Sequence, residues 1–430
     1  MCASPSLSFG AAYNARPYAG TEAMLISELN DTLAMVLAIG DGKVLEPLTA
    51  RRAIAAMPFG GTYRIIDFAL TNCLHSGLRR IMVLTQYNSL SLQNHIRDGW
   101  SIFNTDLGEY IMPVTPPINS TLSTYAGVAD ALYKNLYLLD GVKEETIILV
   151  SGEQIYRMDY AAVLAFHAEH GADVTIAGVP AVNAYGATFP VALEVEGIDV
   201  TGVRSDATTP GPDDNLVWPM RVFVFQRRKL VELLKLLDGK APIEAPLSTL
   251  IGDNMQLFKR VVAYRFGGSS GRVTQDRYWR RLDDLDDYYE ANMDLLELEP
   301  PLDLYQADWQ IRTYQTQRPP ARTVPGRSCN EGICVNSIVS GGTVIAGGGV
   351  NHSVLGNRVY IDDGATVEDS ILFADVKVGE GAQLRRCILD RQVLVPPGEQ
   401  IGFDKARDAK RFTMTSAGVI VIPSDYKFES

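Results

Sequence analysis

Cysteine and histidine are scarce in this chain, with five of each among 430 residues. Cysteines spread so thinly do not form the disulfide framework of a small secreted domain. The one close pair, Cys329 and Cys334, has no second cysteine or histidine pair nearby, so it reads as two reduced thiols on a connecting segment rather than a zinc site. None of His75, His95, His167, His170 and His352 shows a pairing with a nucleophile. No apolar run approaches the roughly 20 residues that span a bilayer, and the first residues lack the basic start and apolar core of a secretory signal. A formal net charge of −12 argues against nonspecific binding to nucleic acid or anionic membrane, while leaving room for local basic sites that take small anions. What remains is an ordinary globular composition, 46% hydrophobic and 21% charged, long enough for two domains with separate cores. A cytoplasmic location is the expectation.

Short apolar runs at 35–39, 81–84, 147–150 and 174–179 alternate with segments of helical spacing at 67–77 and 160–170. Strands alternating with helices predict a doubly wound, mostly parallel sheet. Ligands of such sheets sit at the carboxyl ends of the strands, here the Gly40 and Ser151-Gly152 turns. Beyond the proline-containing segment 317–322 the pattern changes. Single apolar residues recur at six-residue steps: Ile338, Val344, Val350, then Leu355, Ile361, Val367, then Leu372, Val378, Leu384. A step of six with β-branched residues is the signature of a parallel β-helix. The expected organisation is a flexible extension over 1–30, an α/β domain over 31–317, and linker plus β-helix over 318–430.

Several long segments are distinctive: Gly60-Gly61-Thr62-Tyr63-Arg64-Ile65-Ile66-Asp67-Phe68-Ala69-Leu70, Leu84-Thr85-Gln86-Tyr87-Asn88-Ser89, Ser151-Gly152-Glu153-Gln154-Ile155-Tyr156-Arg157-Met158-Asp159-Tyr160, Tyr288 to Leu295, and Ile311-Arg312-Thr313-Tyr314. By these segments the chain resembles the ADP-glucose pyrophosphorylase (glucose-1-phosphate adenylyltransferase) family. The resemblance implies a Rossmann-like nucleotidyltransferase sheet followed by a left-handed β-helix. It also implies a reaction in which glucose 1-phosphate attacks the α-phosphorus of ATP, giving ADP-glucose and pyrophosphate for glycogen or starch synthesis. Such chemistry rests on positioning, Mg²⁺ and cationic side chains.

The charged positions of that family are altered here. The loop arginine falls at Val44, a lysine at Ile54, the first metal aspartate at Glu153, the second at Arg281, and the sugar-phosphate lysine segment near Asp206. Two family glycines fall at Pro190 and Arg221, where added bulk is expected to fill the sugar pocket. On the nucleotide side Gly40, Gly42, Gly127 and Asp130 persist. They are read either as residual nucleotide contacts or, the reading we favour, as residues that keep a turn and a helix start. No metal site is expected; Mg²⁺ and ATP are what any remaining activity would require.

Members of the family bind phosphorylated effectors between their two domains through basic residues. The resemblance assigns that role to Arg51, Arg52 and Arg64 from the first domain and to Arg385, Arg386, Lys410 and Arg411 from the β-helix, since guanidinium forks suit phosphate oxygens. Met414 departs from a basic residue common at that point. The leading expectation is a catalytically silent regulatory subunit, paired with a catalytic paralogue in a tetramer. The alternatives are an active adenylyltransferase using Glu153 with a second ligand, and a stand-alone sensor of sugar phosphate or nucleotide.

Overall fold

The structure, a computed structural model, describes residues 28–117, 124–180, 191–205, 215–239, 243–268, 271–272 and 277–428. The extension expected over 1–30 therefore falls almost entirely outside the described residues.

Every residue of the strand Thr32–Ala38 is buried. Leu33, Met35 and Leu37 enter one apolar cluster and Ala34, Val36 and Ala38 another. That two-residue alternation between two dry faces is why the strand reads as a continuous apolar run. It pairs in parallel with Arg80–Thr85 on one side and Thr146–Ser151 on the other. Nine strands complete the sheet in the order Tyr110–Val114, Arg80–Thr85, Thr32–Ala38, Thr146–Ser151, Leu216–Gln226, Val174–Pro180, Val261–Arg265, Asp199–Ser205, Val191–Glu196. Leu216–Gln226 and Asp199–Ser205 run against the others. The predicted helices are present as Ile65–His75 and Tyr160–Glu169.

The Gly60-to-Leu70 segment owes its character to one buried carboxylate. Asp67 lies at the third position of the helix Ile65–His75, and its Oδ2 accepts from the Arg64 backbone N–H at 2.8 Å, which caps the helix start. Its Oδ1 lies 2.6 Å from His95 Nε2 and accepts from Trp100 Nε1 at 3.0 Å. A fully buried carboxylate is tolerated only when its lone pairs are satisfied in this way.

From Arg322 onward the chain winds into a left-handed parallel β-helix of three sheets. Leu355, Ile361, Val367, Leu372, Val378 and Leu384 share its dry interior. The first coil departs from the six-residue step. Ile345, not Val344, is buried there and pairs with Ile361, while Ile338 and Val344 are half-buried. Ile338 instead packs on a third cluster, which joins Leu45, Phe59 and Tyr288 of the first lobe to Ile371, Phe373, Ile388 and Val421 of the β-helix. Across the same junction Arg52 Nη2 meets Asp390 Oδ1 at 2.7 Å and Oδ2 at 2.9 Å. No helix among the described residues is long and apolar enough to cross a membrane.

Candidate functional site

Two clefts bring together the residues singled out from the sequence. The first lies at the carboxyl ends of the central strands and encloses about 590 Å³, within the ordinary range for small-molecule sites. Ile39, Gly40, Asp41 and Lys43 line it from the turn after the first strand, with Ser151 and Glu153 beside them. Gly40 packs closely: a Cβ there would lie 2.8 Å from Glu153 Oε2 and 3.0 Å from Ile54 Cδ1, so the ends of those two side chains would have to shift. Its N–H donates to Glu153 Oε1 at 2.7 Å. Gly42 takes φ 82°, and Thr49 Oγ1 donates to its carbonyl at 2.6 Å, fixing the loop without facing the cleft.

The positions at which the resemblance implies altered charges differ in their surroundings. Ile54 is 6% exposed and is a core residue beside Leu45, Leu48 and Met57. Val44 is 46% exposed and does not line the cleft. Its neighbour Lys43 does, paired with Asp41 at 3.1 Å; sequence reading passed over it although it stands in the same loop. Burial pushes the Glu153 carboxyl above its ordinary value, partly offset by the Gly40 N–H and by Arg221. Arg281 also lines the cleft, its Nη2 held 2.7 Å from Asp283 Oδ1. Arg221 sits at a register shift in the strand Leu216–Gln226 and keeps φ 57°, a backbone conformation suited to glycine. The bulk expected to fill the pocket instead forms one wall of an open cleft. Asp206 and Pro190 lie outside the described residues.

The residues of this cleft do not fit the Mg²⁺ of the family reaction. One oxygen of Glu153 accepts from the Gly40 N–H, and the position that the resemblance assigns to the second metal aspartate holds the Arg281 guanidinium. A further cation about 4 Å from Arg281 would meet repulsion of about 4 kcal/mol per unit charge at an effective dielectric of about 20. No group of three or more metal-ligating side chains occurs among the described residues.

Of the nucleotide-side residues, Gly40 and Gly127 line the cleft, whereas Gly42 and Asp130 do not. Gly127 packs close to the backbone at 243–244, where a Cβ would lie 3.1 Å from the Ile243 carbonyl oxygen. Asp130 is turned inward: its Oδ2 accepts from the Ala126 N–H at 2.9 Å and meets Lys134 Nζ at 2.8 Å.

The second cleft, about 350 Å³, opens between the lobes. Arg51, Arg52 and Arg64 line it together, with Arg318, Arg358 and Arg391 that the sequence reading missed. Arg385, Arg386, Lys410 and Arg411 do not line it. Arg386 lies 5.6 Å from the Tyr289 ring centroid and Arg411 meets Glu399 at 2.9 Å, so both are drawn to partners elsewhere. Within the cleft, Arg52 is matched by Asp390, and Arg358 by Asp375 at 2.6 Å. Burial and the charges of Arg52 and Arg391 lower the pKa of Arg64, although Asp67 opposes them. Arg358 and Arg391 stand on one column of β-helix corners, where Asp375 N–H donates to the Asn357 carbonyl and Gln392 N–H to the Ala374 carbonyl. Aligning successive coils of the repeat would have brought them together.

An α/β sheet with a cleft at its strand ends, followed by a hexapeptide β-helix, defines a nucleotidyltransferase. Residues 33–193 match the family described as nucleotidyl transferase, and residues 319–422 match the GlmU-like C-terminal hexapeptide family. Within that class the chain belongs to the glucose-1-phosphate adenylyltransferase, or ADP-glucose pyrophosphorylase, family. It is 45% identical over 410 residues to glucose-1-phosphate adenylyltransferase 2 of Vibrio cholerae, covering 94% of this chain and 100% of the relative. To the protein of the same name from Vibrio parahaemolyticus it is 48% identical, covering 93% and 100%. It is also 38% identical to glucose-1-phosphate adenylyltransferase of Yersinia pseudotuberculosis, over 94% and 96% of the two chains.

Proposed function

We propose that this chain is a catalytically silent, regulatory member of its family, acting in the cytoplasm beside a catalytic paralogue in a tetramer that makes ADP-glucose. The observation that carries the reading is the pairing of Arg281 with Asp283 at the second metal position, while Glu153 is tied to Gly40. Removing a single charge-stabilising group from a site of this kind commonly lowers turnover about 10²–10³-fold, and several are altered at once. The arginine cleft between the lobes supports a regulatory role through a phosphorylated effector, because forked donors converge there from both lobes.

One set of observations favours the alternative of an active adenylyltransferase. The first cleft is open, Lys43 supplies a cation inside it, and full-length relatives carry that enzyme's name. The deciding experiment follows pyrophosphate release from ATP and glucose 1-phosphate with Mg²⁺, using this chain alone and mixed with an intact paralogue. The silent reading expects background from the chain alone and an altered effector response in the mixture. Turnover by the chain alone at the paralogue's level would reject it.

A further inference from the structure

We propose that the strand-end cleft binds a nucleoside polyphosphate as its metal-free anion, held by Arg221 and by Arg281, the latter at the position that the resemblance assigns to a metal-binding aspartate. Both guanidinium groups line the cleft, and Lys43 lines it with them. Arg281 is braced by Asp283 at 2.7 Å, which fixes it in the wall. Arg221 makes no hydrogen bond or ion pair to the described residues and is exposed to the cleft. It also holds φ 57°, a conformation that a long side chain adopts at a cost, so the strand presents this cation despite its backbone.

Three carboxylates share the cleft: Asp41, Glu153 and Glu244. Asp41 is met by Lys43 at 3.1 Å, and Glu153 turns one oxygen to the Gly40 N–H. Neither is hydrogen-bonded to Arg221, whose planar fork suits phosphate oxygens. Enclosure by the cleft walls and the nearby charge of Arg281 lower the Arg221 pKa, partly offset by Glu153 and Asp283, and an arriving polyanion would relieve the repulsion between the two guanidinium groups. Tyr87, Tyr125 and Phe223 line the same cleft and supply aromatic surface for a base. A bare polyphosphate matches two adjacent guanidinium groups, whereas its Mg²⁺ complex has lost charge and brings a cation towards Arg281.

The inference shares its cleft geometry with the silent-subunit reading but is measured without turnover, so each can fail while the other stands. Calorimetric titration of the full chain with ATP and with ADP, in EDTA and in excess Mg²⁺, is the test. Binding is expected in EDTA and about tenfold weaker in Mg²⁺. R221G and R281Q should each weaken it about tenfold or more, and R281D should reverse the metal preference. R221G places a residue suited to the local backbone, so its unfolding midpoint serves as the folding control. Binding that requires Mg²⁺, the absence of binding in both buffers, or binding that persists in both R221G and R281Q would each overturn the assignment.

Discussion

The contact between Arg52 and Asp390 offers the sharpest test of how the lobes are joined. Both side chains are almost completely buried, at 7% and 4% exposure, and one guanidinium nitrogen reaches both carboxylate oxygens. The guanidinium also lies 5.7 Å from the centroid of the Phe373 ring. D390N keeps the shape and removes the charge, leaving Arg52 buried without its counter-ion. Breaking a buried pair from one side costs about 3–5 kcal/mol. R52M adds the loss of the cation–π contact, about 1 kcal/mol. The double variant R52M/D390N removes both charges and should recover to within about 2 kcal/mol of the original stability, because the desolvation of two ions disappears with their attraction. Urea unfolding followed by circular dichroism and by tryptophan fluorescence gives the double-mutant cycle. The two signals should coincide, since one apolar cluster spans both lobes. A loss below about 1 kcal/mol for D390N, or a double variant no more stable than either single one, would refute a coupled buried pair.

Further outcomes follow from other sites. His167 lies behind the sheet, 5% exposed, with Nδ1 2.8 Å from Thr175 Oγ1, and burial lowers its pKa from 6.5 to about 4. The unfolded chain therefore takes up a proton that the native state refuses, and stability falls as pH drops from about 6.5 towards 4, by roughly 3 kcal/mol in all. H167Q should flatten that part of the stability–pH curve; an unchanged slope would show that His167 is not its source. Gly178 faces the register shift of the neighbouring strand, where a Cβ would lie 2.3 Å from Val217 Cγ1 and 2.7 Å from the Trp218 carbonyl oxygen. G178A should lose about 2–3 kcal/mol in denaturant unfolding. G141A, with nothing within 4 Å of the added carbon, should be neutral or slightly stabilising.

The central sheet was legible because its strands are dry on both faces, leaving uninterrupted apolar runs such as Met35 to Ile39. The β-helix was legible because one residue per face recurs at a fixed step. That step misplaced Val344 in the first coil, where Ile345 is the buried residue, because a one-residue slip exchanges the two sides of a strand. In the strand-end cleft, sequence marked where charge had changed but not where side chains point. It took Val44 as the informative loop position although Lys43 faces the cleft, and Arg221 as bulk although it is a wall cation. For the second cleft the resemblance assigned basic residues from both domains without fixing which β-helix corner each would occupy. Arg385 and Arg386 adjoin the relevant coil, but Arg391 occupies the corner, and corner identity depends on register that adjacency does not carry.

The corner column of the β-helix has a consequence for how such a chain changes over time. The coils pair Ile361 with Val378 and Val378 with Val395, so most of the interior is held by residues that do not line the cleft, Leu372 being the one shared between them among the described residues. Asn357, Arg358, Ala374, Asp375, Arg391 and Gln392 reach it from the corners and contribute nothing to that stacked interior. Recognition and architecture are thus written in separate alphabets along the same turns. The face presented to a ligand between the lobes can be rewritten one corner at a time, while the column that carries it stays folded throughout.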